Sequence, residues 1–440
     1  MTKVGFISLG CSKNLVDTEV MLRKLHDAGY EITPDETEAE IIIINTCGFI
    51  QSAKEEAIEN ILDAEKLKKW GKCRHIIATG CLVERYREEV MREMPEIDAL
   101  VGVGSLFDIA DACDAVLRGE KYTSFKDKNT STLGGERIIT TEDHTAYLKI
   151  AEGCDNLCTY CAIPMIRGKF RSRTVEDIVA EAKDLEALGV KEINLIAQDT
   201  SRYGLDIYGE YSLARLVRAI TAETKIPWIR LLYCYPDKIT DELIDEMRNN
   251  PRLLKYMDIP IQHISDNVLS RMNRHGGSSL IKETVKKLRE RVPGIVLRTT
   301  AMVGFPGETD SDFEELCKFV KEAKFDRFGA FTYSEEEGTA AVLLDGKVDP
   351  QTKQDRYDIL MQTQLTVAEE QSALAVGKEY TVICDGFDTV AEVYYGRSYA
   401  DAPDVDGRVY FTSDVKISRG DFVTVKITEA LDYDLIGHKI

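Results

Sequence analysis

The sequence predicts an α/β chain in three parts: an amino-terminal parallel-sheet α/β domain, a central partial (βα)6 barrel of the TIM type, and a small carboxyl-terminal antiparallel β-barrel. Three observations predict this. Continuous apolar runs of strand length alternate with helical stretches over most of the chain, the pattern of parallel strands covered on both faces. A polar stretch over residues 126–135 interrupts the alternation. Beyond Gly377 the helical period stops, and short alternating segments separated by Gly and Asp take over, as in a small β-barrel. The boundaries read from these breaks are 1-130, 136-370 and 377-440. A length of 440 residues is itself too great for one ordinary domain.

In the first part, the apolar run 4–9 leads into Gly10 and Cys11, then a helical stretch from about 15 to 26. The run 41–44 leads into Asn45-Thr46-Cys47-Gly48, and the helix after it carries a start signal, Ser52 with Glu55 three residues on. The run 75–79 leads into Gly80-Cys81 and a helix to about residue 91. Each strand thus ends in a cysteine within one to three residues. Ligands of open parallel sheets bind outside the carboxyl ends of the strands, so topology directs Cys11, Cys47 and Cys81 to one point. Helix amino termini beside them favour the thiolate that a metal needs. A buried bystander cysteine is common; it accounts for one such position, not for three.

The second part opens with a strand over 147–151. After the cysteine loop comes a helix with Thr174 as N-cap and Asp177 at N3, running through Leu188 and stopping at Gly189. Further strands fall at 193–197, 228–234, 256–261, 296–303 and 328–332. About six βα units make a partial barrel, with its chemistry at the carboxyl ends of the strands. There, directly after the first strand, stands Glu152-Gly153-Cys154-Asp155-Asn156-Leu157-Cys158-Thr159-Tyr160-Cys161. The C-x3-C-x2-C spacing gives three thiolates from one tight loop. A cubane of four irons then keeps one iron open, as a catalytic zinc site keeps one position free. A structural zinc site or a ferredoxin wants a fourth ligand nearby, but the next cysteine is Cys234.

Other strand ends carry Gln198-Asp199, Gln262-His263 and the loop Gly304-Phe305-Pro306-Gly307-Glu308. The basic run Arg167, Lys169, Arg171, Arg173 reads as a solvated loop able to help place an anionic substrate group. In the third part, strands are expected at 379–384, 390–395, 408–411 and 421–429.

Composition narrows the class. Hydrophobic residues make up 44%, enough for packed cores. No secretory segment and no run of 18 apolar residues is present, so a soluble, cytoplasmic protein is expected. Eleven cysteines then read as metal or redox ligands rather than a disulfide framework. A net charge of −20 opposes nonspecific nucleic-acid binding.

At the C-x3-C-x2-C loop the sequence resembles the radical S-adenosylmethionine (SAM) superfamily, in which the open iron chelates the amino acid end of SAM. Cys161-Ala162-Ile163-Pro164, Arg167-Gly168 and Arg171-Ser172-Arg173 look like its methylthiotransferase branch. So do Ser8-Leu9-Gly10-Cys11-Ser12-Lys13-Asn14, Asn45-Thr46-Cys47 and Thr79-Gly80-Cys81, which match motifs that hold a second, auxiliary cluster in that family. The resemblance covers essentially the whole chain. It implies two 4Fe–4S clusters, one on Cys154, Cys158 and Cys161 that cleaves SAM, and one on Cys11, Cys47 and Cys81 that presents a methylated sulfur. It suggests SAM contacts at the strand ends, with Gln198, Gln262 and His263 as candidates. It further implies a TRAM-like last barrel and a low-potential electron donor such as flavodoxin or ferredoxin. The remaining cysteines, Cys73, Cys113, Cys234, Cys317 and Cys384, read as small buried hydrophobes.

The family's chemistry is sulfur insertion at an unactivated C–H bond, which no protein base readily deprotonates. A 5′-deoxyadenosyl radical from SAM does so in the family mechanism, with the cofactors supplying the hard step. One branch modifies an adenosine in tRNA; the other modifies the β-carbon of an aspartate in ribosomal protein S12. Residues 377–440 hold 7 Lys and Arg against 12 Asp and Glu, with Asp401, Asp404 and Asp406 in one loop. Such a surface repels phosphate and suits a basic protein. The stretches Leu9-Gly10-Cys11-Ser12-Lys13-Asn14 and Gly396-Arg397-Ser398-Tyr399-Ala400-Asp401-Ala402-Pro403 also look like the ribosomal-protein branch. S12 is therefore the expected partner, docked by the three aspartates, and tRNA is not.

Overall fold

The computed structural model describes residues 1–440. Its first sheet holds strands β1 (Lys3–Ser8), β2 (Glu31–Thr33), β3 (Ile41–Thr46), β4 (His75–Gly80), β5 (Ala99–Val101) and β6 (Tyr122–Ser124). They lie in the order β2-β1-β3-β4-β5-β6, with every pairing parallel. The three strands that precede Cys11, Cys47 and Cys81 are thus immediate neighbours. Pleating sends Ile41 and Ile43 into the core on one face, and Ile42 and Ile44 into the core on the other. That is why β3 reads as an unbroken β-branched run.

Local details depart from expectation. The helix Gln51–Trp70 begins before Ser52, with Ile50 at the N-cap and no side-chain cap, so Ser52 and Glu55 form no capping box. The first helix, Ser12–Asp27, starts directly after Cys11, earlier than its apolar period. The helix after Cys81 breaks at Arg87, whose φ is +44°, into Cys81–Tyr86 and Glu88–Glu93.

The second sheet holds β7 (Thr145–Lys149), then β10 (Glu192–Ile196), β11 (Trp228–Leu231), β12 (Leu253–Asp258), β13 (Val296–Val303) and β14 (Arg327–Thr332). Between β7 and β10, the short β8 (Ala151–Glu152) and β9 (Arg171–Ser172) pair antiparallel around the cysteine loop. The six long strands are parallel in the order β14-β13-β12-β11-β10-β7, an open barrel of six βα units. Thr174 caps its helix as expected, accepting from the Asp177 N–H at 3.2 Å. A full capping box stands at Thr309 and Asp312. Residues 126–135 are a strap rather than a free tether. Lys128 bonds Glu84 at 3.1 Å, and Arg171 donates to the Ser131 carbonyl at 2.5 Å.

The third part is a closed antiparallel-rich barrel of β15 (Glu379–Asp388), β16 (Val393–Arg397), β17 (Val409–Thr412), β18 (Phe422–Leu431) and β19 (Asp434–Lys439), in the order β15-β16-β17-β19-β18. Its acidic loop does not form a docking surface. Asp401 is buried against Arg327 at 2.5 Å. Asp406 accepts from the Tyr256 hydroxyl at 2.6 Å and lies 3.5 Å from Arg298. Asp404 is exposed as a residue, but its carboxylate accepts from Tyr147 at 2.8 Å. The cause is charge: the central barrel carries buried Arg230, Arg327 and half-buried Arg298, which need partners or oxygen acceptors. Arg230 finds Glu192 at 2.9 Å and the Tyr399 carbonyl at 2.8 Å. The loop is the clamp between two domains. Changing Asp401 and Asp406 to Lys is expected to cost about 3–5 kcal/mol per broken buried pair. Limited proteolysis should then release the carboxyl-terminal barrel; unchanged resistance would refute the clamp.

No helix is long and apolar enough to cross a membrane.

Candidate active site

Cys11 is the N-cap of the helix Ser12–Asp27, Cys47 follows β3 directly, and Cys81 opens the short helix after β4. The loops touch in sequence. Gly10, at φ +88°, lies so close to Cys47 that a Cβ there would sit 2.8 Å from the Cys47 Cβ and 3.0 Å from its Sγ. A Cβ on Gly48 would meet Leu82 Cα at 2.6 Å and the Cys81 carbonyl carbon at 3.0 Å. Both positions therefore require glycine, and the three cysteine loops lie side by side at the strand ends. Burial pushes the Cys81 thiol up to about 12 and raises Cys47. Cys11 goes the other way: against desolvation, the charges of Lys13 and Arg167 pull it below its ordinary value.

The second trio is fixed by backbone and by an anchor at the strand ends. Cys154 N–H donates to the Gly168 carbonyl at 3.1 Å, and Cys161 N–H to the Cys158 carbonyl at 3.0 Å. Cys158 Sγ lies 2.9 Å from the Tyr235 hydroxyl. Asn156 is held between Asp199 (2.8 Å) and Lys238 (2.6 Å), which bond each other at 2.9 Å. Leu157 takes φ +50° within this loop, a strained conformation of the kind found at functional sites. Burial raises the Cys154 thiol to about 11 and Cys161 higher still.

No three His, Cys, Asp or Glu side chains are grouped to hold a single metal ion. A cubane spreads its ligands over separate irons, a wider demand than that of a single ion. The SAM candidates also fit a polar ligand. Buried Gln198 Oε1, Gln262 Oε1 and His263 Nε2 have no hydrogen-bond partner in the protein, whereas buried polar atoms normally do. Gln262 adopts φ +69° beside its neighbour. Gln198 Nε2 donates to Glu152 at 2.6 Å. Asp199, read with Gln198, belongs instead to the anchor of the cysteine loop.

His263 Nδ1 accepts from the Ser265 N–H at 3.0 Å, and Nε2 stands 3.7 Å from Glu308. Burial pushes its pKa from 6.5 down to about 4, so the ring is neutral at physiological pH. The unfolded chain gains a proton below about 6.5 that the folded chain takes up only near 4. Stability is thus present above 6.5 and lost as pH falls through that window, by up to about 1.4 kcal/mol per pH unit. His263→Asn is expected to flatten thermal stability between pH 6.5 and 4.5; parallel profiles would refute this.

The basic run is not solvated as a whole. Arg167 is 2% exposed and Arg173 is 5% exposed. Arg173 bonds Asp177 at 2.6 Å and Glu181 at 2.5 Å. Arg167 bonds Asp17 at 2.5 Å, Glu152 at 3.4 Å, Asn14 at 3.0 Å and Cys81 Sγ at 3.2 Å. Lys149 pairs with the same Asp17 and with Glu152, the latter at 2.8 Å. Opposed to desolvation, Lys149 and Arg167 hold the Glu152 carboxyl well below the carboxylate range. One guanidinium from the second cysteine loop therefore touches the first trio. Sequence reasoning named this residue but read it as solvated, because a charge run with no apolar period looks like surface. Of the other cysteines, Cys73, Cys113, Cys234 and Cys384 are buried as expected, and Cys317 is half-buried.

A cysteine loop at the mouth of an open six-stranded parallel barrel defines a radical SAM enzyme. Accordingly, residues 148–320 match the family described as the Radical SAM superfamily, residues 3–102 match Uncharacterized protein family UPF0004, and residues 376–440 match the TRAM domain. The chain is 48% identical over 438 residues to ribosomal protein uS12 methylthiotransferase RimO of Thermoanaerobacter sp. (strain X514), covering 99% of this chain and 100% of the relative. It is 48% identical over 440 residues to the protein of that name from Desulforamulus reducens, with 99% of each covered. The chain belongs to the RimO family of radical SAM methylthiotransferases. Its fold is also shared with the radical SAM methyltransferase TsrM from Kitasatospora setae, solved with cobalamin and a 4Fe–4S cluster. That match has TM-score 0.56 at 16% identity and covers 76% of this chain and 75% of the other. Membership in the superfamily brings a 4Fe–4S cluster and SAM as cofactors.

Proposed function

We propose that this protein adds a methylthio group to the β-carbon of an aspartate in ribosomal protein uS12. The observation that carries the reading is similarity at 48% identity along the whole chain to curated relatives named as ribosomal protein uS12 methylthiotransferases. Cys154, Cys158 and Cys161 hold the cluster that binds SAM, and Cys11, Cys47 and Cys81 hold a second, auxiliary 4Fe–4S cluster. When bound, these groups and SAM supply a hydrogen-abstracting radical and the methylated sulfur.

The chain's own residues do the placing. Arg167 and Lys149 tie Asp17 of the first domain to Glu152 of the second, which fixes the spacing of the two trios. Gln198, Gln262 and His263 offer their free polar atoms to SAM. Asn156, Asp199 and Lys238 stiffen the cysteine loop, since buried and satisfied polar networks hold one geometry. In this reading residues 1-130, 136-370 and 377-440 are the auxiliary-cluster, radical and TRAM-like domains of a cytoplasmic enzyme. Its electrons come from a low-potential flavodoxin or ferredoxin.

The test is anaerobic incubation of the reconstituted enzyme with SAM, a low-potential reductant and purified uS12. Intact-mass analysis should show one methylthio group replacing one hydrogen on one aspartate. Modification of tRNA in place of uS12 would overturn the assignment.

A further inference from the structure

Lys13 is 8% exposed, yet no carboxylate pairs with its ammonium; the groups that face it most directly are Tyr233 and the Cys11 sulfur. Its ammonium lies over the Tyr233 ring, 3.2 Å from the centroid. The carboxylate that acts on it electrostatically, Asp258, is already bonded to Arg298 at 2.9 Å and to the Tyr233 N–H at 3.0 Å. Buried lysines are ordinarily paired. Lys13 also sits in the first turn of the helix Ser12–Asp27, the end whose dipole disfavours a cation. Burial, lack of a carboxylate and the wrong helix end all act against it. Its aromatic partner is strained as well: Tyr233 takes φ +63° just beyond β11, at the carboxyl end of a barrel strand.

The position is specific. Lys13 is two residues from Cys11. Tyr233 is two residues from Tyr235, whose hydroxyl lies 2.9 Å from Cys158. The same helix packs Val16 against Tyr147, Ile196 and Leu232 of the barrel. The ammonium therefore stands at the barrel mouth, on the short path from one cysteine trio to the other.

We propose that Lys13 receives the carboxylate of the target aspartate and so sets that side chain's β-carbon between the two trios. This rests on the reading of uS12 as substrate. A cation–π contact leaves an ammonium's N–H donors free for a second ligand, and a carboxylate is the partner it lacks. The other carboxylate available at this mouth is that of SAM, and the experiment separates the two.

Binding of uS12 to the reconstituted enzyme is measured for native uS12 and for uS12 with Asn at the target position, together with SAM binding. The parent is expected to prefer Asp by about 10- to 100-fold, the range of a charge-assisted hydrogen bond. Lys13→Met should bind the two forms equally, and Lys13→Arg should keep a preference. Iron content at the parent value shows that the variants fold and load both trios. Should Lys13→Met keep the parent's preference, or weaken SAM binding alone, the assignment fails while the substrate reading stands. Iron loss in Lys13→Met would assign the residue to the Cys11 trio and overturn it as well. A parent that does not tell Asp from Asn overturns the Lys13 assignment, while the substrate reading is decided by methylthiolation of uS12 itself.

Discussion

Alanine at Cys154, Cys158 and Cys161 together is expected to leave about half the iron of the reconstituted protein and to abolish release of 5′-deoxyadenosine. Two cubanes carry about eight irons, and the two trios occupy separate loops, so each should load without the other. The converse triple replacement, at Cys11, Cys47 and Cys81, should also halve the iron. It should spare SAM cleavage and end sulfur insertion. Iron analysis and product chromatography on both variants read this out. Methylthiolated product from the second variant would refute the auxiliary trio, and full iron in either would refute the ligand sets.

The second large effect is expected at Arg167. Its guanidinium serves Asp17, Glu152, Asn14 and Cys81 at once. Arg167→Met removes one of two cations facing two buried carboxylates, leaving excess negative charge in a dry site. Breaking a buried pair this way costs about 3–5 kcal/mol. Arg167→Lys restores the charge but not the planar fork that reaches four partners, so it should recover only part of the loss. Denaturant unfolding of the iron-free chain measures both. A loss under about 1 kcal/mol in the Met variant would mean that this network does not hold the domains together.

The two corrections share one cause. The aspartates of the 398–407 loop and the arginines after Cys161 look solvated in sequence because charge is mostly found at surfaces. In the fold they are each other's kind of solution: Asp401 and Asp406 neutralise barrel arginines, and Arg167 neutralises carboxylates from two domains. The partners lie up to 150 residues apart in the chain, and no local period announces them. The strands β2, β5, β6 and β19 escaped for different reasons. The first three are only three residues long, and β19 follows a tight turn after β18 without a Gly or Pro to mark it.

By itself the sequence determined the central six-stranded parallel sheet, three neighbouring strands of the first sheet, a small last β-barrel, and the place of the cysteines at strand ends. These rest on short-range signals: apolar period, strand-end position, and spacing within one loop. Only the tertiary structure decided which charges are buried, that the acidic loop clamps rather than docks, and that Arg167 joins the two trios. It also left Lys13 as a buried cation without a carboxylate. Those outcomes depend on which distant side chains share a region of low dielectric, where an unmatched charge is costly, and that pairing exists only once the domains have packed.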